Sequence, residues 1–534
     1  MAYIRQNIFR RTFCLFLTIL LLLSADISLA DRKLGKSITI GIQSTKTVTI
    51  RPLEPQERDM ISIYNIMYES LLTIDDDYMP QGCLARSWEE NNNGKTWIFH
   101  LRDDVTFSDG TPLTAYDVVA SADFILAKAR DENITDHGFY SNLNYFVKTI
   151  EAKDSETVVV TARSTKSDSR SYFGILYAMT FPVVPASQVN ADSPLGTGPY
   201  KLRGDQFVSG RYMILEANEN WWQLQPYVRE IMVSFYDSPG AVVKGYEFSG
   251  PDAIFTRSIS AAQYNNSGMN SVSMSYRTNQ LECLLTNNSS SELTPEVRKA
   301  IRYVIDRQKI ISGVYSGMAV PTNFPFYPGT WMYNDGLDSF FSVNLEAARE
   351  LLAEAGWEDS DENNILDRLT DDGKVRDLSL RFYVYEEPDN NVRLETANLI
   401  AEQLAKVGIN CRIEPMTMAN VKEKLKAGSF DLALVSYAMD VCPDPGFLLT
   451  KGNSGNYVRY KSDKMTSLCN DLRKEVSQQG YRARLMEIQN LFMEDCPFIC
   501  LFYRMGYVIT KSMYTTCRDV REYELLRGIA SFTP

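Results

Sequence analysis

The chain has 534 residues, with 55 Lys and Arg against 67 Asp and Glu and a formal net charge of −12. That acidity removes the electrostatic ground for binding nucleic acid or an anionic membrane. A hydrophobic fraction of 44%, with 11% aromatic residues, excludes disorder, and a chain this long is expected to fold as two or three lobes.

At the N-terminus, Arg5, Arg10 and Arg11 precede a mostly apolar run from Phe13 to Leu23, and Ser28-Leu29-Ala30 follows. The run is shorter than the ~20 apolar residues a bilayer span takes, and small residues at 28 and 30 suit a signal peptidase. Residues 1–30 are therefore expected to be a signal peptide cleaved after Ala30, which would leave a mature charge of about −14. An uncleaved anchor is the alternative reading of Leu20 to Leu23 with Asp26. Cys14 stands near the start of the apolar run rather than just after it, so no lipid-attachment signal is expected. With nothing after residue 31 resembling a span, the mature chain is expected in the periplasm or at the extracellular face of the cytoplasmic membrane.

Ser37 to Gln43 has the pattern of a strand, followed by the loop Arg51-Pro52-Leu53-Glu54-Pro55 and a helix from about Asp59 to Leu72. Trp97, Phe99 and Leu101 alternate through a second strand, and Ser108-Asp109-Gly110 makes a turn. Thr114 caps the next helix with Asp117 three residues on, and Val118, Ala122, Ile125 and Ala129 form its apolar face. Thr294-Pro295 opens a helix with faces at Val297, Ile301 and Val304. Gly356 ends another, built on Leu345, Ala348 and Leu352; Gly408 ends a third, after which Ile409, Cys411 and Ile413 alternate as a strand. Phe430 to Val435, Asp431 excepted, suits a central strand covered on both faces. Helices near Met465 to Val476 and Tyr481 to Phe492 precede a last strand, Phe498 to Tyr503. Repeated alternation of helix and strand points to open α/β lobes.

Eight cysteines follow residue 30: Cys83, Cys283, Cys411, Cys442, Cys469, Cys496, Cys500 and Cys517. Their spacings match no metal motif and a large domain needs no staples, so buried thiols are expected more than disulfides. No nucleophile elbow, phosphate loop or H-E-x-x-H helix occurs. His100 and His137 are the two histidines, without a second imidazole at metal spacing. The pairs Asp103-Asp104 and Asp371-Asp372 suit solvated turns. No catalytic role, cofactor or metal site is expected.

Several segments, in order, carry a family resemblance: Tyr68-Glu69-Ser70-Leu71, Leu84-Ala85-Arg86-Ser87-Trp88, Phe107 to Ala115, Gly196-Thr197-Gly198-Pro199-Tyr200, Ile305-Asp306-Arg307, Glu346 to Leu352, and Phe430 to Leu434. The chain resembles the oligopeptide-binding (family 5) extracellular solute-binding proteins of ABC importers over its mature length. The resemblance implies an α/β type II periplasmic-binding-protein fold, with two ligand-clamping lobes and an extra domain on the first. Residues 31–75, 181–285 and 501–534 would form lobe I, 76–180 the extra domain, and 286–500 lobe II. It implies a monomer that captures short peptides and passes them to membrane permease subunits; an oligosaccharide, opine or metal chelate is the alternative cargo.

One segment bears on the ligand. In peptide-binding members a carboxylate after the strand now at Phe430 to Val435 pairs with the ligand's α-ammonium, and an aromatic residue three positions before it lines a pocket. Asp440 and Tyr437 match that pattern. Val441-Cys442-Pro443 separates Asp440 from Asp444, and either acid could be the anchor. Trp221, Trp222, Trp331 and Tyr333 could be pocket walls but are expected to be core.

Overall fold

The computed structural model describes residues 37–530 apart from 46–48, 92, 135–136, 164–172, 249, 267–270, 370–372, 388–389 and 512–519. The expected signal peptide and its cleavage point, Cys14, Cys517 and the Asp371-Asp372 pair lie outside the described residues.

One large mixed sheet organises the chain. Ser37–Gln43 lies between Glu230–Tyr236 and Ala253–Thr256, parallel to both, with Ile38, Ile40 and Ile42 buried. At the other end, Ser379–Tyr385 lies parallel to both Asn410–Met416 and Leu432–Ala438. Two long antiparallel strands, Ser271–Thr286 and Phe498–Lys511, run through the middle and connect the two ends. Their register slips between Arg277 and Leu281 and again between Glu282 and Cys283. A slip of this kind unpairs backbone and bends the strand, here where the chain crosses from one half of the sheet to the other.

Leu432–Ala438 has the covered character that its apolar run predicts. Leu432 and Leu434 enter one core while Ala433 and Val435 enter the core on the opposite face. The excepted Asp431 accepts from Arg381 through the backbone N and Nε at 2.9 and 3.0 Å, so its charge is matched at the strand's entrance. Ile409, Cys411 and Ile413 share one face, as their alternation requires.

A separate four-stranded antiparallel sheet combines Ala85–Asn91, Thr96–Leu101, Thr157–Ala162 and Val147–Ala152. Helix Ala115–Ala129 packs on it, and Asp117 Oδ2 accepts from Thr114 N at 2.9 Å and Thr114 Oγ1 at 2.7 Å. These bonds hold the helix start as the Thr114-x-x-Asp117 spacing predicts.

The first helix is shorter than its apolar pattern predicts, Arg58–Met67 rather than running to Leu72. Its end is set by a distant segment. Gly198 N donates to Met67 O at 3.0 Å, and a Cβ at Gly196 would stand 2.0 Å from that same oxygen. Only glycine permits this approach, which gives the Gly196-Thr197-Gly198 stretch its architectural role. Leu72–Ile74 then pairs with Pro80–Gly82 as a hairpin.

Candidate functional site

Strands that share a direction end at one edge of each half of the sheet, and the loops beyond those ends face each other. In open α/β sheets this is where ligands bind. Two cavities occupy the space. One, of about 560 Å³, is walled by helix Arg58–Met67, by Glu69 and Trp221, by the turn at residues 521–530 and by Ala438 to Val441. The other, of about 830 Å³, is lined by Gln43, Arg58, Arg257, Gln280, Tyr315 and Arg504.

Between the cavities the charges are mutually compensated. Arg257 Nη2 lies 2.7 Å from Asp59 Oδ1 and 2.6 Å from Glu522 Oε1, and Arg58 Nε lies 2.5 Å from Glu522. Burial pushes the Glu522 carboxyl up, but Arg257 and Arg58 outweigh it and hold the group below its ordinary value. Arg58 also donates to the Asn279 side chain, which in turn donates to Tyr523 Oη at 3.0 Å, tying this cluster to the crossing strand. A second cluster is deeper. Glu282, fully buried, binds Arg393 at 2.8 Å and Arg504 at 2.7 Å, and Glu387 closes the set at 3.0 and 3.3 Å from the same two guanidinium groups. Two acids thus meet two bases in each cluster, leaving no net charge for a ligand to answer.

Asp440 and Asp444 differ sharply. Asp444 is nine-tenths buried and pairs with Arg473, whose Nε lies 2.8 Å from Oδ2; Tyr145 Oη donates to it at 3.2 Å and Gly446 N at 2.8 Å. Asp440 accepts from neutral donors, Asn142 Nδ2 and Cys442 N, each at 3.1 Å. Among the described residues no cation lies within ion-pair reach of it. Its side chain is exposed into the smaller cavity, whose surrounding walls cost the charged form some of its solvation and push the carboxyl above its ordinary value. A carboxylate in such a place favours a ligand that brings its own positive charge.

Tyr437 stands behind the cavity rather than in it. It lines neither of the two large spaces; its hydroxyl donates to Gly455 O at 3.1 Å and its ring meets Phe447 edge-on at 6.3 Å. Trp221 lines the smaller cavity, and both Trp221 and Trp222 donate their indole N–H to Glu69, at 3.1 and 2.9 Å. Burial pushes the Glu69 carboxyl up. Tyr333 is buried core, and Trp331 packs against the core. The clusters around Arg257 and Arg504 were invisible in the sequence, where their members are scattered from Arg58 to Glu522.

The profile of bacterial extracellular solute-binding proteins, family 5 (middle region), matches residues 79–458. The chain belongs to that family. It is 25% identical over 504 residues to the oligopeptide-binding protein AppA of Bacillus subtilis, covering 90% of this chain and 88% of that one. It is 24% identical over 491 residues to the nickel-binding protein NikA of Staphylococcus aureus, covering 90% of each. The solved structure of Bacillus subtilis AppA with a nonapeptide superimposes with a TM-score of 0.66 at 21% identity, over 92% of this chain and 98% of that one. The chain is thus a solute-binding component of an ABC importer, working with membrane permeases, and not an enzyme. Its relatives are periplasmic or extracellular proteins. Among the described residues no helix is long and apolar enough to cross a membrane.

Proposed function

We propose that this protein captures short peptides in the cleft, with Asp440 receiving the peptide's α-ammonium. The observation that carries this reading is the contrast within one loop: Asp444 is neutralised by Arg473, whereas Asp440 has no cationic partner among the described residues. An ammonium group buried against Asp440 would relieve the cost that its walls impose on the carboxylate. Tyr437 then acts by packing under the loop. Residues 31–75, 181–285 and 501–534 form lobe I, 76–180 an extra domain and 286–500 lobe II, and the bend in the crossing strands serves as the hinge on which they close. The protein works as a monomer, binds no nucleic acid, and reaches the outside through cleavage of residues 1–30 without a lipid anchor. AppA, described as oligopeptide-binding, is in keeping with peptide as the cargo.

Mass spectrometry of whatever the natively purified protein retains tests the proposal. Peptides with free N-termini are expected; an opine, an oligosaccharide or a metal chelate in their place would refute the peptide reading.

A further inference from the structure

Cys283 and Cys500 are directly opposite one another on the two crossing strands, just past a register slip between Glu282 and Cys283, and Leu284 with Ile499 and Leu285 with Phe498 continue the regular ladder from them. Opposed residues of an antiparallel pair have Cα atoms roughly 4.5–5.5 Å apart and side chains on the same face. A disulfide takes Cα separations of about 4.4–6.8 Å. The shared face is independently evident, since Cys283, Cys500, Leu281, Leu285 and Phe498 enter one core while Leu284, Ile499 and Leu501 enter the other. Both side chains are fully buried. Cys496, four residues before Cys500, cannot compete: it faces the opposite core and donates to Arg298 O at 3.6 Å. All seven described cysteines are thiols in this structure.

We propose that Cys283 and Cys500 are a modification site, oxidised to a cross-strand disulfide when the chain folds outside the cytoplasm; this rests on the proposed export and not on the nature of the cargo. The oxidant is a disulfide, small-molecule or protein: the two cysteines lose their hydrogens and form one S–S bond, and the oxidant's S–S bond is cleaved to two thiols. Exchange requires a thiolate attacking in line. In the folded protein both sulfurs are sealed from any oxidant, so the bond forms during folding, before the core closes. Once made, it joins the crossing strands beneath the segment that leads to Asp440, since Leu281 is paired with Tyr437 and Cys283 with Val435.

The test is to denature and reduce the full chain, refold it in oxidised and reduced glutathione, block free thiols with iodoacetamide and map the soluble fraction by mass spectrometry. A linked Cys283–Cys500 peptide, two hydrogens lighter than its separate halves, is expected, with the other cysteines alkylated. Alkylated Cys283 and Cys500, or either one linked elsewhere, overturns the proposal. The same map on chain exported to the periplasm of an expression host gives a second reading, decided by the same outcomes. Both preparations supply the oxidant, so neither result depends on where the native cell places the chain, and neither uses peptide binding.

Discussion

Arg473 Nε lies 2.8 Å from Asp444 Oδ2, with both side chains more than nine-tenths buried, while Asp440, four residues earlier on the same loop, has no such partner among the described residues. That single ion pair divides the work between two chemically identical residues. Asp444 is neutralised within the protein; Asp440 is the acid that the proposed function assigns to the ligand.

Substitution separates the two roles. Asp440→Asn is expected to weaken peptide binding by about 1.5–3 kcal/mol, the scale of a hydrogen bond to a charged group, with thermal stability unchanged or slightly raised. Asp444→Asn leaves Arg473 buried and unpaired and is expected to cost about 3–5 kcal/mol of stability. Calorimetric titration with a bound peptide and denaturant melts of both variants check the split, which fails if Asp444→Asn alone loses affinity at full stability.

Acid should loosen the ligand. Desolvation by the cavity walls raises the Asp440 carboxyl above its ordinary value in the empty cleft, so it takes up a proton earlier than a fully solvated aspartate as pH falls. A peptide ammonium stays charged throughout, and protonation removes its partner. Affinity is expected to decline on acidification, beginning above the usual carboxylate range, and the decline should be absent in Asp440→Asn. For the empty protein the sign is opposite. A raised carboxyl favours the folded state at low pH, and that contribution is lost as pH rises through its folded value.

Arg257 bridges Asp59 and Glu522, which are 3% and 5% exposed. Arg257→Ala strands Asp59 and leaves Glu522 with Arg58 as its remaining partner, and is expected to destabilise the fold by about 3–5 kcal/mol. Glu522 is held below its ordinary value in the native protein, so its contribution is present above the unfolded carboxyl range and is lost as pH falls through the folded value. Urea melts across acid pH should show that part of the acid sensitivity shrinking in Arg257→Ala.

At Gly196 a Cβ would meet Met67 O at 2.0 Å. Gly196→Ala must push helix Arg58–Met67 away from the strand that begins at Tyr200, with a cost of about 1–3 kcal/mol typical of overpacking. Because Arg58 sits on that helix and reaches Asn279 on the crossing strand, affinity should fall together with melting temperature.

What was legible in the sequence was local or repetitive. Thr114 with Asp117, Pro295 at a helix start, and the apolar run after Asp431 state their structure within a few residues. The cleft was not legible because its clusters join residues far apart: Arg257 meets Asp59 across 198 positions and Glu522 across 265. Asp440 and Asp444 were equivalent in sequence, since the partner that distinguishes them, Arg473, comes 29 residues later on another helix end. The end of the first helix likewise depends on glycines beyond residue 190, which no helical periodicity could reveal.

Whether a free α-ammonium is what the cleft holds can be asked most directly with a mixed peptide digest, half of it acetylated at the N-terminus, offered to the immobilised protein and read by mass spectrometry. Selective retention of the free-amine peptides, lost in Asp440→Asn, is expected; equal retention of both halves would contradict the assignment of Asp440.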